Sequence, residues 1–281
     1  MNYFERAKYF RTKKRLGQNF LIDGEVISDI IEYANISPDD TVLEIGPGVG
    51  FVTEQLVKHA KKVIAVELDE EAIKELEKLN APNLEIIHKD ILKTDLSELS
   101  QDKIKVVANI PYYITSPIIA HLLGEIDDLH NKNREKIKDV ILMVQEEVAQ
   151  RMCATPQSQG KAYGLLTILS QFWAQVEYLR TVGRKCFYPA PKVTSALVKL
   201  TVREKPLLEL SDYYHFRKTI RAGFAHRRKN IKNCLISAGF KKENVSKTLS
   251  ELGIDENTRG EKLSISDFGK ISELLLTNAD K

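Results

Sequence analysis

Apolar positions first recur at helical spacing, at Ile27, Ile30, Ile31 and Ala34, which predicts a helix packed on a core. Short apolar runs then alternate with helical ones. Residues 42–45, 63–66, 84–88, 104–108 and 140–144 read as strands, and residues 51–58, 70–79, 117–123 and 146–153 as helices between and after them. Alternation of this kind predicts a mainly parallel, doubly wound α/β sheet. After a helix over 163–173 come two strand-like runs, 176–181 and 195–202, with no helix between them. They predict an antiparallel pair closing the sheet edge, with 187–191 as loop because proline has no N–H to give a ladder. Beyond Pro206 the strand pattern stops. Phe216, Ile220 and Phe224, then Ile231 and Leu235, then 245–252 keep only helical spacing, so two domains are expected, 1–204 and 205–281.

A chain of 281 residues, 43% of them hydrophobic, can bury a large core and a smaller one. Its formal charge of +3 is too small to specify a nucleic-acid partner, so the distribution of charge decides. From His215 to Lys232 there are many basic residues and no acidic one, with Arg217 and Arg221 on one helical face and Arg228 and Lys232 on another. That stretch predicts a phosphate-binding surface made by Arg217, Arg221, Arg227, Arg228 and Lys229, against the plainer reading of a solvated basic face. Arg11, Lys13, Lys14 and Arg15 form a second basic patch. No apolar run approaches the roughly 18 residues that span a bilayer, and the first residues carry no apolar signal core, so a soluble cytoplasmic protein is expected. Cys153, Cys186 and Cys234 lack paired spacing and read as reduced packing residues; the histidines show no ligand spacing, and no metal site is expected.

The chemistry concentrates at strand ends. Glu44-Ile-Gly46-Pro-Gly48-Val-Gly50 is a glycine turn leading into a helix, where backbone can approach a ligand closely. Its G-x-G-x-G spacing departs from the dinucleotide pattern G-x-G-x-x-G and resembles the first motif of methyltransferases that use S-adenosylmethionine. Glu67, at the next strand end, is placed to accept from a ribose diol, or else to cap the following helix. Asp90, one strand further, is placed to accept from the adenine amine of that cofactor, or to cap a turn. Asn109-Ile-Pro111-Tyr112 follows the fourth strand. An amine conjugated to a planar ring is a poor nucleophile, and acceptors aimed at its hydrogens localise its lone pair. Asn109 offers a side-chain oxygen, the peptide beside Pro111 a carbonyl, and Tyr112 a ring for stacking. Phe187 is the candidate for a second aromatic wall, with Tyr188 as its rival.

Five segments occur in order: Lys14 to Leu21 (KRLGQNFL), the glycine turn, Asn109 to Tyr112, Phe187 to Val193 (FYPAPKV) and Phe224 to Asn230 (FAHRRKN). Together they resemble the ribosomal RNA adenine N6,N6-dimethyltransferases, and the resemblance spans nearly the whole chain. It implies a Rossmann-like class I S-adenosylmethionine methyltransferase sheet with a small all-helical C-terminal domain. It also implies cofactor contacts from Asn19, Leu21, Gly46, Gly48, Glu67, Asp90 and Asn109. The implied reaction places two methyl groups on each of two adjacent adenosines near the 3′ end of small-subunit (16S) ribosomal RNA, with a pre-30S particle as partner and a monomeric enzyme. Macrolide-resistance methylases of large-subunit RNA share the Gly-Gln-Asn-Phe and Asn-Ile-Pro-Tyr elements. They remain a rival reading, as do a DNA adenine methylase and a binding factor that retains only the fold.

Overall fold

A computed structural model of the chain describes residues 2–10, 12–13, 16–159, 162–226 and 228–279. Helices are α1 (Tyr3–Tyr9), α2 (Gly24–Ala34), α3 (Thr53–His59), α4 (Glu70–Glu77), α5 (Thr115–Leu123), α6 (Lys132–Lys136), α7 (Glu146–Met152), α8 (Leu165–Trp173), α9 (Tyr213–Ala225), α10 (Ile231–Ser237), α11 (Lys242–Glu251) and α12 (Ile265–Ala279). Strands are β1 (Phe20–Leu21), β2 (Thr41–Ile45), β3 (Lys62–Glu67), β4 (Leu84–His88), β5 (Ile104–Asn109), β6 (Ile137–Gln145), β7 (Ala174–Val182), β8 (Phe187–Tyr188) and β9 (Ser195–Val202).

Two compact units emerge. The first takes residues 1–124, 130–149 and 175–204 and holds a seven-stranded sheet in the order β4-β3-β2-β5-β6-β9-β7. Strands β4, β3, β2, β5 and β6 are parallel, while β9 runs antiparallel to β6. Every residue of β2 is buried, as expected of a parallel strand covered on both faces. Helix α2 lays Val26, Ile27, Ile30 and Ala34 into the same core, and its first turn is capped by Asp23, which accepts from the Glu25 and Val26 N–H groups. The chain steps from β2 outward to β3 and β4, then returns to β5 on the other flank of β2. That reversal opens a crevice at the C-terminal ends of β2 and β5, where open α/β sheets bind ligands.

The second unit takes residues 125–129, 150–174 and 205–281 and is helical. The apolar pattern placed 125–129 and 150–174 with the sheet, but they cluster here instead. The physical reason is the burial of α8: Phe172 packs 5.5 Å from Phe216 of α9 and 5.0 Å from Trp173, ring centre to ring centre. Another departure is β8. Residues 187–191 were expected to be loop, yet Phe187 and Tyr188 pair antiparallel with Leu21 and Phe20 of β1 before the first proline is reached. Among the described residues no helix is long and apolar enough to cross a membrane.

Candidate active site

The C-terminal ends of β2, β3, β4 and β5, together with residues 16–21, line one cavity. Of the residues singled out in the sequence, Asn19, Leu21, Gly46, Gly48, Glu67, Asp90, Asn109, Pro111 and Tyr112 all line it. Gly46 and Gly48 have φ of +65° and +58°. The Gly48 N–H donates to Glu67 Oε2 (2.9 Å), and the Leu68 and Asp69 N–H groups donate to Oε1 (2.8 Å each). Glu67 is therefore not the helix cap; Asp69 caps α4 by accepting from the Glu71 N–H. A carboxylate has about four lone-pair sites, so three backbone donors leave one for a ribose hydroxyl. Asp90 accepts from the Leu92 N–H (3.0 Å), the turn cap that was the plainer reading, and it also lines the cavity. A Cβ added at Gly46 would meet no protein atom within 4 Å. Backbone close to the ligand space beside two carboxylates at neighbouring strand ends is a donor and acceptor set that fits the nucleoside part of S-adenosylmethionine.

Residues 16–21 lie on this cradle. Phe20 sits so close to Gly48 that a Cβ there would meet its ring at 2.7 Å. Asp69, buried beneath, accepts from Lys13 Nζ (2.5 Å) and Gln18 Nε2 (2.7 Å). Burial alone would raise the Asp69 carboxyl, but those two donors outweigh it and hold it below the usual carboxylate range. Lys13, read in the sequence as part of a second basic patch, is thus spent on this tether; Arg11, Lys14 and Arg15 lie outside the described residues. Nothing in the sequence pointed to Asp69, whose partners stand 51 and 56 positions away.

Asn109 ends β5. Its amide nitrogen donates to the Asn19 carbonyl (3.1 Å), which fixes the side chain and leaves Oδ1 as an acceptor. The Ile110–Pro111 peptide has no N–H, so it presents only a carbonyl. Tyr112 follows on a short 3-10 turn, its hydroxyl hydrogen-bonded to Ser195 Oγ (2.5 Å), and burial raises its phenol above the ordinary value. Phe187 does not join them. It is 3% exposed, pairs with Leu21 across the small β1/β8 sheet and is absent from the cavity lining, because that sheet buries it in the core beneath α2. Its rival Tyr188 does not line the cavity either; its ring meets Phe4 edge-on at 5.6 Å. Phe20, Phe51 and Tyr113 line it instead, and of these Tyr113, beside Gly17, is the exposed one at 62%. Its signal was available in the second tyrosine of Asn-Ile-Pro-Tyr-Tyr.

Glu44 is the other carboxylate of the cavity, 3% exposed, with its Oε2 accepting from the Thr53 hydroxyl (2.6 Å). Burial pushes its carboxyl up to about 8, the neighbouring Glu67 charge adds to the rise, and the Thr53 bond opposes it. A folded value above the unfolded one means that the neutral form stabilises the fold below about pH 4.5. That stabilisation is lost as pH climbs through about 8. Glu44→Gln removes the titration, so its melting temperature should gain on the wild type progressively from pH 5 to pH 8.5. A difference independent of pH over that window would refute the assignment.

A family model, ribosomal RNA adenine dimethylase, matches residues 9–276. The chain belongs to the ribosomal RNA adenine dimethylase family. It is 43% identical over 272 residues to ribosomal RNA small subunit methyltransferase A of Clostridium botulinum, covering 95% of this chain and 94% of that one. It is also 41% identical over 284 residues to the protein of that name from Bacillus cytotoxicus, covering 97% and 94%. Among solved structures it is similar to a dimethyladenosine transferase from Plasmodium falciparum (TM-score 0.74, 29% identity, 92% of this chain and 96% of that one). It is similar too to the 23S rRNA methyltransferase ErmE (TM-score 0.72, 28% identity, 92% and 99%). The sheet is therefore that of a class I methyltransferase, and S-adenosylmethionine is the cofactor of this dimethylase family.

The basic stretch of α9 and α10, expected from the sequence to bind phosphate, is divided in the structure. Arg217 pairs with Asp127 through two hydrogen bonds (3.0 and 3.1 Å) and lies 3.2 Å from Glu125, which also pairs with Arg221 (3.3 Å). Both arginines therefore have acidic partners within the helical unit, Arg217 the more enclosed of the two, and neither is the unpaired cation that the basic stretch suggested. Lys232 is likewise paired with Glu256 (2.5 Å). Arg228 and Lys229 stay exposed, and Lys229 lines a second cavity with Arg151, His226 and Arg259. Arg227 lies outside the described residues.

Proposed function

We propose that the protein transfers methyl groups from S-adenosylmethionine to the N6 amines of two adjacent adenosines near the 3′ end of small-subunit ribosomal RNA. Each adenosine receives two, and the enzyme acts as a monomer on a pre-30S particle in the cytoplasm. The observation that carries the reading is Asn109 at the end of β5, its amide nitrogen held by the Asn19 carbonyl, lining the same cavity as Glu67 and Asp90.

The cofactor's part is an electrophilic methyl on a sulfonium whose charge is lost on transfer. The residues supply position. In the first transfer Asn109 Oδ1 and the Ile110 carbonyl accept the two N6 hydrogens, which draws the nitrogen lone pair out of the ring and toward the methyl; in the second, the one hydrogen left is accepted by one of them. Tyr112 and Tyr113 give the unstacked base aromatic faces in place of its neighbours. No side chain need act as a strong base, since the amine proton becomes acidic once the nitrogen is alkylated and passes to water.

The relatives at 41% and 43% identity are named for the small subunit, which favours it over the large-subunit substrate of the 23S methyltransferase. A competition between purified small- and large-subunit particles for labelled methyl groups tests this, with label expected in the small-subunit RNA. For the RNA surface, Arg228→Glu with Lys229→Glu should weaken particle binding at least about tenfold and lower the slope of log affinity against log salt by about 2. Retained affinity in a salt titration would locate the phosphate contacts elsewhere.

A further inference from the structure

We propose that Ser195 is a positioning residue for methyl transfer, acting by anchoring the hydroxyl of Tyr112; the proposal rests on Tyr112 being a wall against which the target base stacks. Tyr112 Oη and Ser195 Oγ are 2.5 Å apart, across 83 positions of sequence. Ser195 is 0% exposed, and its hydroxyl has no other hydrogen-bond partner among the described residues. It opens β9 in register with Gln145 of β6, and the Glu146 N–H donates to the adjacent Thr194 carbonyl (3.0 Å), so the anchor stands on the sheet rather than on a loop. At the other end of the ring, the Ile114 N–H donates to the Pro111 carbonyl (3.1 Å) and the Thr115 hydroxyl to that of Tyr112 (3.3 Å).

Tyr112 lines the cavity and Ser195 does not. The phenol oxygen thus reaches out of the ligand space, and its part is to stop the ring turning about its two side-chain torsions. Stacking needs only the ring face; holding the amine in line with the methyl needs a ring that stays in one place. The demand repeats in the second transfer, when the base returns with a bulkier, once-methylated nitrogen.

The test uses full-length Ser195→Ala, Tyr112→Phe, their double variant and Tyr112→Ala, on unmethylated small-subunit particles. Each single removal of a hydroxyl should lower kcat about tenfold and raise the share of N6-monomethyladenosine among products, with the cofactor Kd from calorimetry unchanged. The double variant should be no slower than either single, because both break one bond. Its melting temperature should recover part of what the singles lose, since neither hydroxyl is then buried without a partner. Wild-type kcat in Ser195→Ala, or roughly hundredfold multiplicative loss in the double variant, overturns the proposal. Wild-type kcat in Tyr112→Ala overturns the stacking wall itself, and the anchor with it. Activity lost in Tyr112→Ala but kept in Ser195→Ala removes only the anchor.

Discussion

Asn109→Ala should lower kcat for methyl transfer by about a hundred- to a thousandfold while the protein stays folded. The size follows from what the side chain is asked to do. A hydrogen-bonding group preorganised at the reacting atom acts mainly in the transition state, and its removal costs about 10²–10³ in turnover where comparable groups have been deleted. Asn109 is preorganised: its amide nitrogen is held by the Asn19 carbonyl, so the oxygen need not be oriented when the base arrives. The same bond sets the stability cost, a single neutral hydrogen bond of about 1 kcal/mol. Steady-state kinetics with a thermal melt separates the two effects. A loss below tenfold would mean that the amine is oriented by other groups, and a collapsed melt would mean that Asn109 serves the fold.

The second large effect is expected at Gly48. With φ at +58° and a Cβ that would sit 2.7 Å from Phe20 Cε1, alanine there strains the backbone and drives into a buried ring. Phe20 has little room to give, being paired with Tyr188 and packed edge-on against Phe10 at 5.4 Å. The strain and the overpacking together should destabilise the sheet unit by about 2–4 kcal/mol. Any shift of the turn also draws the Gly48 N–H away from Glu67, so cofactor affinity should fall with stability. Gly46→Ala separates the two: its φ is also positive, but its Cβ points into open cavity. There the fold should lose only about 1–2 kcal/mol while the ligand space is invaded and the cofactor Kd rises. Calorimetric titration and melts on both variants test the contrast; equal losses of stability at the two positions would contradict it.

Much of this site was legible because topology put it there. Parallel strands buried on both faces read as continuous apolar runs, so β2, β3, β5 and β6 could be placed from the pattern, and the edge strand β4, which buries no residue, by its alternation with helices; residues at or just past their C-terminal ends were bound to meet at one rim. Gly46, Gly48, Glu67, Asp90 and Asn109 are all of that kind. What stayed hidden depends on contacts between distant positions. Asp69 and Ser195 have ordinary sequence surroundings and acquire their roles only through Lys13, Gln18 and Tyr112. Arg217 and Arg221 looked free because Glu125 and Asp127 stand about 90 positions earlier. Phe187 failed for a different reason. A two-residue strand before a proline carries no periodicity, so the sheet that buries it could not be read from the chain.

Dimethylation of adjacent small-subunit adenosines through Asn109 leaves a product that can be read directly. The measurement that bears on it most directly is incubation of unmethylated small-subunit particles with methyl-labelled S-adenosylmethionine, followed by nucleoside analysis and mapping of the modified positions. N6,N6-dimethyladenosine is expected at two neighbouring residues near the 3′ end of the RNA, and none with Asn109→Ala. Label confined to large-subunit RNA, or no transfer from a protein that binds the cofactor, would contradict it.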